Sequence, residues 1–189
     1  MYKRQIQNGY SKYCIDMEVN NTSILQYPCP KYIEQPREVL VRRLTQEDKN
    51  RILRIFVEDL DGLLEQLSNG ANHEKKVLVL TEPLCELPVR EQIFKDIIAE
   101  YGQGAQVILK PHPRDVLDYK KLFPQHIVLD GKFPMEILNF VEGLSFEQVV
   151  SVYTVPDSIH FAKEKTFLGD DFMDKYEAPD KHRFNEQIY

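Results

Sequence analysis

The run Gln106-Val107-Ile108-Leu109-Lys110-Pro111-His112-Pro113-Arg114-Asp115 decides how this chain is read. Its first part is apolar enough for a buried strand. Its second part sets an ammonium, an imidazole and a guanidinium where that strand ends. In open α/β sheets the carboxyl edge of the strands is where ligands bind. Pro111 and Pro113 fix their own φ and push the preceding Lys110 and His112 away from helical geometry. A stiff loop carrying His112 between two cations suits an anionic ligand, a phosphate ester above all. Its simplest alternative is an ordinary proline-rich turn with surface charges.

The flanking sequence supports a parallel sheet. Val77-Leu78-Val79-Leu80 reads as a short buried strand. A helix follows with Val89, Ile93, Ile97 and Tyr101 on one face, and Phe94 and Ile98 widen it. After the Lys110–Asp115 loop come a short helix near 116–122 and a third strand, Ile127-Val128-Leu129. Pro134 opens a further helix at its first turn. Val149-Val150-Ser151-Val152 reads as a fourth strand, a helix is expected over 158–163, and a weak strand over 166–168. Strands alternating with helices imply right-handed βαβ units. The fold class is therefore α/β, a Rossmann-like parallel sheet.

Upstream, Thr45-Gln46-Glu47-Asp48 resembles a capping box. One helix is expected after it, with Ile52, Phe56, Leu60, Leu63 and Leu67 in a single stripe and a stop at Ser68-Asn69-Gly70. Residues 1–44 look irregular, a linker or the remnant of another domain, and 45–189 form the Rossmann-like domain with its leading helix.

Composition narrows the function classes. A net charge of -6 over 189 residues argues against nucleic acid as the main partner. No stretch approaches the ~20 apolar residues that span a bilayer. Cys14, Cys29 and Cys85 have no metal-ligand spacing and read as reduced thiols of a cytosolic protein, although Cys14 and Cys29 could pair in an oxidising compartment. No zinc pattern or Gly-rich phosphate loop occurs. The acids Asp170, Asp171 and Asp174 read as a solvated face, with a metal site as the alternative. His160 reads as a packed or surface histidine, and His73, His126 and His182 carry no supporting pattern.

Four segments taken together resemble the donor-binding half of bacterial lipooligosaccharide sialyltransferases, glycosyltransferase family 52, with the polysialyltransferases as relatives. They are Lys110–Asp115, Asp118-Tyr119, Phe133-Pro134-Met135-Glu136-Ile137-Leu138 and Phe146–Thr154. The resemblance implies the C-terminal, nucleotide-sugar-binding half of a two-domain GT-B enzyme. It implies CMP-sialic acid as donor, a cell-surface glycan as acceptor, and neither cofactor nor metal. It assigns His112 to the CMP phosphate, with Lys110, Pro113 and Arg114 beside it. Glu136 falls to the cytidine ribose hydroxyls, and Thr154 with Ser151 to the phosphate. The neighbours of Thr154 depart from the family's hydroxyl pair, being Tyr153 and Val155. The family's acidic-acidic-Gly motif, source of the base, is matched only by Gln7-Asn8-Gly9, with amides in place of acids. Glu82 and Glu86, after the first strand in a loop stiffened by Pro83 and Pro88, are candidate replacements. The acceptor domain's roughly 150 residues are also expected to be missing, as in a truncated member.

The site chemistry is consistent with those residue types. Breaking a sugar–phosphate bond builds charge on the departing nucleotide, which preorganised donors stabilise. Glu136 near a helix start could instead simply complement the helix dipole. Three alternatives stay open: a CDP-polyol phosphotransferase of teichoic-acid type, a non-catalytic CMP-binding module, and a site completed in a homodimer through the apolar helix 52–67. The expected location is cytoplasmic, with peripheral association at the inner face of the cell membrane.

Overall fold

The computed structural model describes residues 9–68, 75–179 and 181. The chain divides into two compact units, Met1–Lys49 and Asn50–Tyr189. In the first, strands β1 (Met17–Val19) and β2 (Tyr32–Glu34) pair in parallel, and helix α1 (Arg37–Arg42) follows. Helix α1 buries none of its residues.

Helix α2 (Gln46–Phe56) starts at the expected capping box. Thr45 Oγ1 accepts the Asp48 N–H at 3.1 Å, and Asp48 Oδ2 accepts the Thr45 N–H at 3.0 Å. Two backbone donors at the helix start are thereby satisfied. The single helix expected through Leu67 is in fact two. Helix α2 stops at Phe56, and α3 (Leu60–Ser68) begins afresh. Asp59 causes the restart: its Oδ1 accepts the Gly62 N–H at 2.9 Å, the geometry of an N-cap. The break rotates the stripe, so Phe56 is exposed while Val57 is buried. Leu53, Leu60, Leu63 and Leu67 pack into the core and are not an exposed interface. The Asn69-Gly70 stop lies outside the described residues, as do His73 and His182.

Strands β3 (Lys76–Leu80), β4 (Gln106–Lys110), β5 (Ile127–Val128), β6 (Phe146–Ser151) and β7 (Ala162–Phe167) form one all-parallel sheet in the order β5-β4-β3-β6-β7. Burial on both faces explains their near-continuous apolar runs. Leu78, Leu80, Ile108 and Val149 face one core with Leu53, Leu60, Leu63 and Leu67. Val77, Val79, Val107, Leu109 and Val150 face the other. That second core receives Ile93, Phe94 and Ile97 of helix α4 (Leu87–Tyr101), Tyr119 of α5 (Tyr119–Leu122) and Phe172 of α6 (Gly169–Met173). Each such fully buried apolar side chain contributes about 1.5–3 kcal/mol.

Two expected helices differ. The Pro134 segment is a 3-10 helix over Met135–Phe140. Over 158–163 there is no α-helix: a 3-10 turn spans Pro156–Ser158, and the chain then enters β7 at Ala162. Ile159 and Phe161, two apart, are both buried, the spacing of extended chain rather than of a helix. Strand β7 is an edge strand whose outer charges suit that position, with Lys163 Nζ 2.8 Å from Glu147 Oε2 on β6.

From β3 the chain crosses to β4 and β5 on one side, then returns to β6 on the other. The carboxyl ends of β3 and β6 therefore flank a topological switch point, the crevice where such sheets bind ligands.

Candidate active site at the sheet's carboxyl edge

Three strand ends meet at this edge. After β3 come Thr81 and Glu82, after β4 the Lys110–Asp115 loop, and after β6 the turn Ser151–Thr154. Divergence starts just past the ladder. The β3–β6 register runs only to Val79↔Val150, whereas β3 stays paired with β4 through the Thr81 N–H to the Lys110 carbonyl, 3.0 Å.

The His112 loop is held from several directions. The His112 N–H donates to Thr81 Oγ1 at 3.3 Å. Its ring Nδ1 accepts the Arg114 N–H at 3.2 Å. With Nδ1 accepting, the neutral ring carries its proton on Nε2. Burial, then the Arg114 guanidinium, lower the imidazole pKa, and Lys110 adds to this while Asp115 opposes it. The ring is half-buried, and Pro113 and Arg114 are exposed.

Lys110 is turned inward. It is 5% exposed, and its Nζ donates to the carbonyls of Pro111 and Gly131, both at 3.0 Å, above the Phe133 ring. Burial pushes its pKa down to about 8, against Asp130 and Glu136, which raise it. Gly131 permits the approach, since a Cβ there would stand 3.1 Å from the Pro111 carbonyl oxygen. Lys110 thus ties the His112 loop to the 130–131 turn.

An ion pair that the sequence reading did not single out anchors this edge. Arg90 Nη1 lies 2.6 Å from Asp115 Oδ1, with the Asp115 side chain fully buried. Asp115 also accepts from the Tyr119 hydroxyl at 2.7 Å and the Leu117 N–H at 3.1 Å. Arg90 spends its other donors on the Leu84 and Cys85 carbonyls, at 2.5 and 2.8 Å. The loop between β3 and α4 is thereby fastened to the loop after β4. It includes Cys85 at φ 47, a non-glycine in the left-handed region. Such strain persists only where the surroundings over-determine the backbone. A signal existed: Arg90 falls at i−3 and i−7 from Ile93 and Ile97, a cation in the apolar stripe.

Glu82 spans the switch point. It is 6% exposed, and its carboxylate accepts the Tyr153 N–H at 3.1 and 3.0 Å, the Thr154 N–H and the Thr154 hydroxyl. Burial raises its pKa, and those hydrogen bonds oppose the shift. Glu86 is exposed at the N-cap of α4 and makes no side-chain cap bond. Ser151 is fully buried, and its hydroxyl donates to the Thr154 carbonyl at 2.6 Å, shaping the turn from behind. Thr154 itself is exposed. Glu136 is exposed too, and its Oε1 accepts from the Ser158 hydroxyl at 3.2 Å. Asn139 joins the same two segments, donating to the Ser158 carbonyl and accepting the His160 N–H, both at 2.8 Å.

Elsewhere, Asp170 accepts from the Tyr153 hydroxyl at 2.8 Å. Among the described residues no three His, Cys, Asp or Glu side chains cluster as metal ligands, and no helix is long and apolar enough to cross a membrane. Cys14, Cys29 and Cys85 are all free thiols. Gln7 and Asn8 of the degenerate acidic motif lie outside the described residues.

Comparison with known proteins gives a family and one relative. The family model described as Glycosyltransferase family 52 matches residues 2–165. A Haemophilus influenzae protein, described as uncharacterized, is 32% identical over 131 residues, covering 66% of this chain and 40% of the relative. The chain thus spans well under half the length of that curated relative. No solved structure matches.

Proposed function

The chain belongs to glycosyltransferase family 52, and on that premise we propose that it binds CMP-sialic acid at the carboxyl edge of its sheet for transfer of the sugar to a cell-surface glycan. The observation that carries this reading is the His112 loop. A rigid imidazole with its proton on Nε2 stands at a strand end, between the Lys110 and Arg114 cations. In the reaction the acceptor oxygen bonds the anomeric carbon while that carbon's bond to the phosphate oxygen breaks. CMP departs with the electron pair, and the acceptor's proton passes to a base. His112 donates from Nε2 to the phosphate as its charge grows, and Arg114 adds attraction. Lys110, bonded to two carbonyls, supports the loop and contributes its field. Glu136 takes the ribose hydroxyls, from a segment steadied by Ser158 and Asn139.

Of the two carboxylates proposed as base, Glu86 is favoured. It is exposed and uncapped, whereas the Glu82 oxygens are taken by amides.

Calorimetry with CMP, and transfer from CMP-sialic acid to a glycan acceptor, test the reading. His112→Ala should weaken CMP and slow transfer tenfold to a hundredfold or more, about 1.5–3 kcal/mol for one charge-assisted hydrogen bond. Glu86→Gln should keep the affinity and lose transfer. Equal CMP affinity for wild type and His112→Ala would remove His112 from the phosphate. Protection by CDP-glycerol in preference to CMP would replace the donor by a CDP-polyol.

A further inference from the structure

Beyond Val150 the β6 chain has no β3 partner, and the N–H groups of Tyr153 and Thr154 would be orphaned at a partly buried edge. Such donors require an acceptor. They receive the carboxylate of Glu82, together with the hydroxyl of Thr154. Two successive amides and a hydroxyl converging on one anion make an anion-binding concavity. Here the anion is the protein's own. No cation accompanies it, since every polar partner of Glu82 among the described residues is a backbone N–H or the Thr154 hydroxyl. Thr154 is exposed and Glu82 buried, so the carboxylate takes the Thr154 donors from behind.

A donor phosphate that uses Thr154 needs those same hydrogens. A hydroxyl has one proton to give, and an N–H one bond. We propose that Glu82 is an internal competitor for the nucleotide phosphate. Its carboxylate fills the anion site of Tyr153 and Thr154, and a phosphate engages these donors only by displacing it. The proposal rests on the donor reading above and adds a resident anion to it. Burial disfavours the charged form of Glu82, as befits an anion held for exchange.

The test is calorimetry on the 189-residue chain with CMP and with cytidine, which lacks the phosphate. Glu82→Gln keeps the shape and removes the charge. It should tighten CMP about tenfold, the scale of one lost like-charge contact across a few ångströms at a partly screened site, and leave cytidine unchanged. Adding Thr154→Val should reduce the gain, because it removes one of the three donors for which the carboxylate and the phosphate compete. Glu82→Ala, with no acceptor left, should also tighten CMP, and circular dichroism will show whether each variant is folded. Unchanged or weaker CMP binding by folded Glu82→Gln overturns the proposal and makes Glu82 a staple between β3 and β6. CMP binding to Glu82→Gln alone, with none to wild type, supports it. Binding to neither overturns the donor reading, and this proposal with it.

Discussion

Two buried carboxylates lie at the same sheet edge and differ in what faces them. Asp115, after β4, meets the Arg90 guanidinium at 2.6 Å as well as a tyrosine hydroxyl and an amide. Glu82, after β3, meets only amides and a hydroxyl among the described residues. The first arrangement is built to stay. Removing either member leaves an uncompensated charge inside the protein, so the loop carrying His112 is fixed by its absence of alternatives. In the second, neutral dipoles hold the charge, and another anion can replace it without stranding a cation. Rigidity and exchange are thus assigned to opposite sides of one strand.

The contrast breaks most sharply at Arg90. Arg90→Met should destabilise the fold by about 3–5 kcal/mol, the usual effect of orphaning a buried partner, read from urea unfolding. A loss under 1 kcal/mol would show that Asp115 is held by its other donors. The next effect is on pH dependence. The Glu82 pKa in the folded state lies above its ordinary value near 4.5, so its contribution is greatest below that value. It is lost as pH rises through the raised pKa, because the folded state then holds the proton more tightly than the unfolded chain. Wild type should therefore lose stability relative to Glu82→Gln as pH rises from 4.5 towards neutrality. A flat difference would show that burial does not raise the Glu82 pKa. The smallest change is Pro113→Ala. With no strain relieved, it should lower stability by about 0.4–1 kcal/mol through the unfolded chain and shift CMP affinity less than His112→Ala does. A drop in affinity equal to that of His112→Ala would mean that the proline, rather than the network around Asp115, positions the ring.

Much of this was legible in the chain itself. Continuous apolar runs at 77–80 and 107–109, and a run at 149–152 interrupted only by Ser151, marked buried parallel strands, because both faces of the sheet are covered and no alternation is needed. Thr45 and Asp48 announced a helix start that the backbone makes. The break at Asp59 was hidden because Leu60, Leu63 and Leu67 continue the spacing of Ile52 and Phe56, so the periodicity outweighed a single capping residue. Over 158–163 the exposed edge strand lacked the apolar run that marks its buried neighbours. At the site, prolines made the His112 loop readable from local sequence. The partners of Asp115 and Glu82 were not, since Arg90 is 25 residues from Asp115 and Tyr153 is 71 from Glu82. Ser151 and Lys110 had the right chemistry for a ligand, but burial turned them to the protein's own carbonyls.

That 71-residue reach has a kinetic meaning. Strands β3 and β4 with the helix between them can assemble from neighbouring sequence, but the crevice gains its second wall only when β6 has emerged and docked against β3. Contacts so distant along the chain form late and slowly. During synthesis, the Glu82 carboxylate would therefore be without its amide partners until β6 docks and the sheet closes.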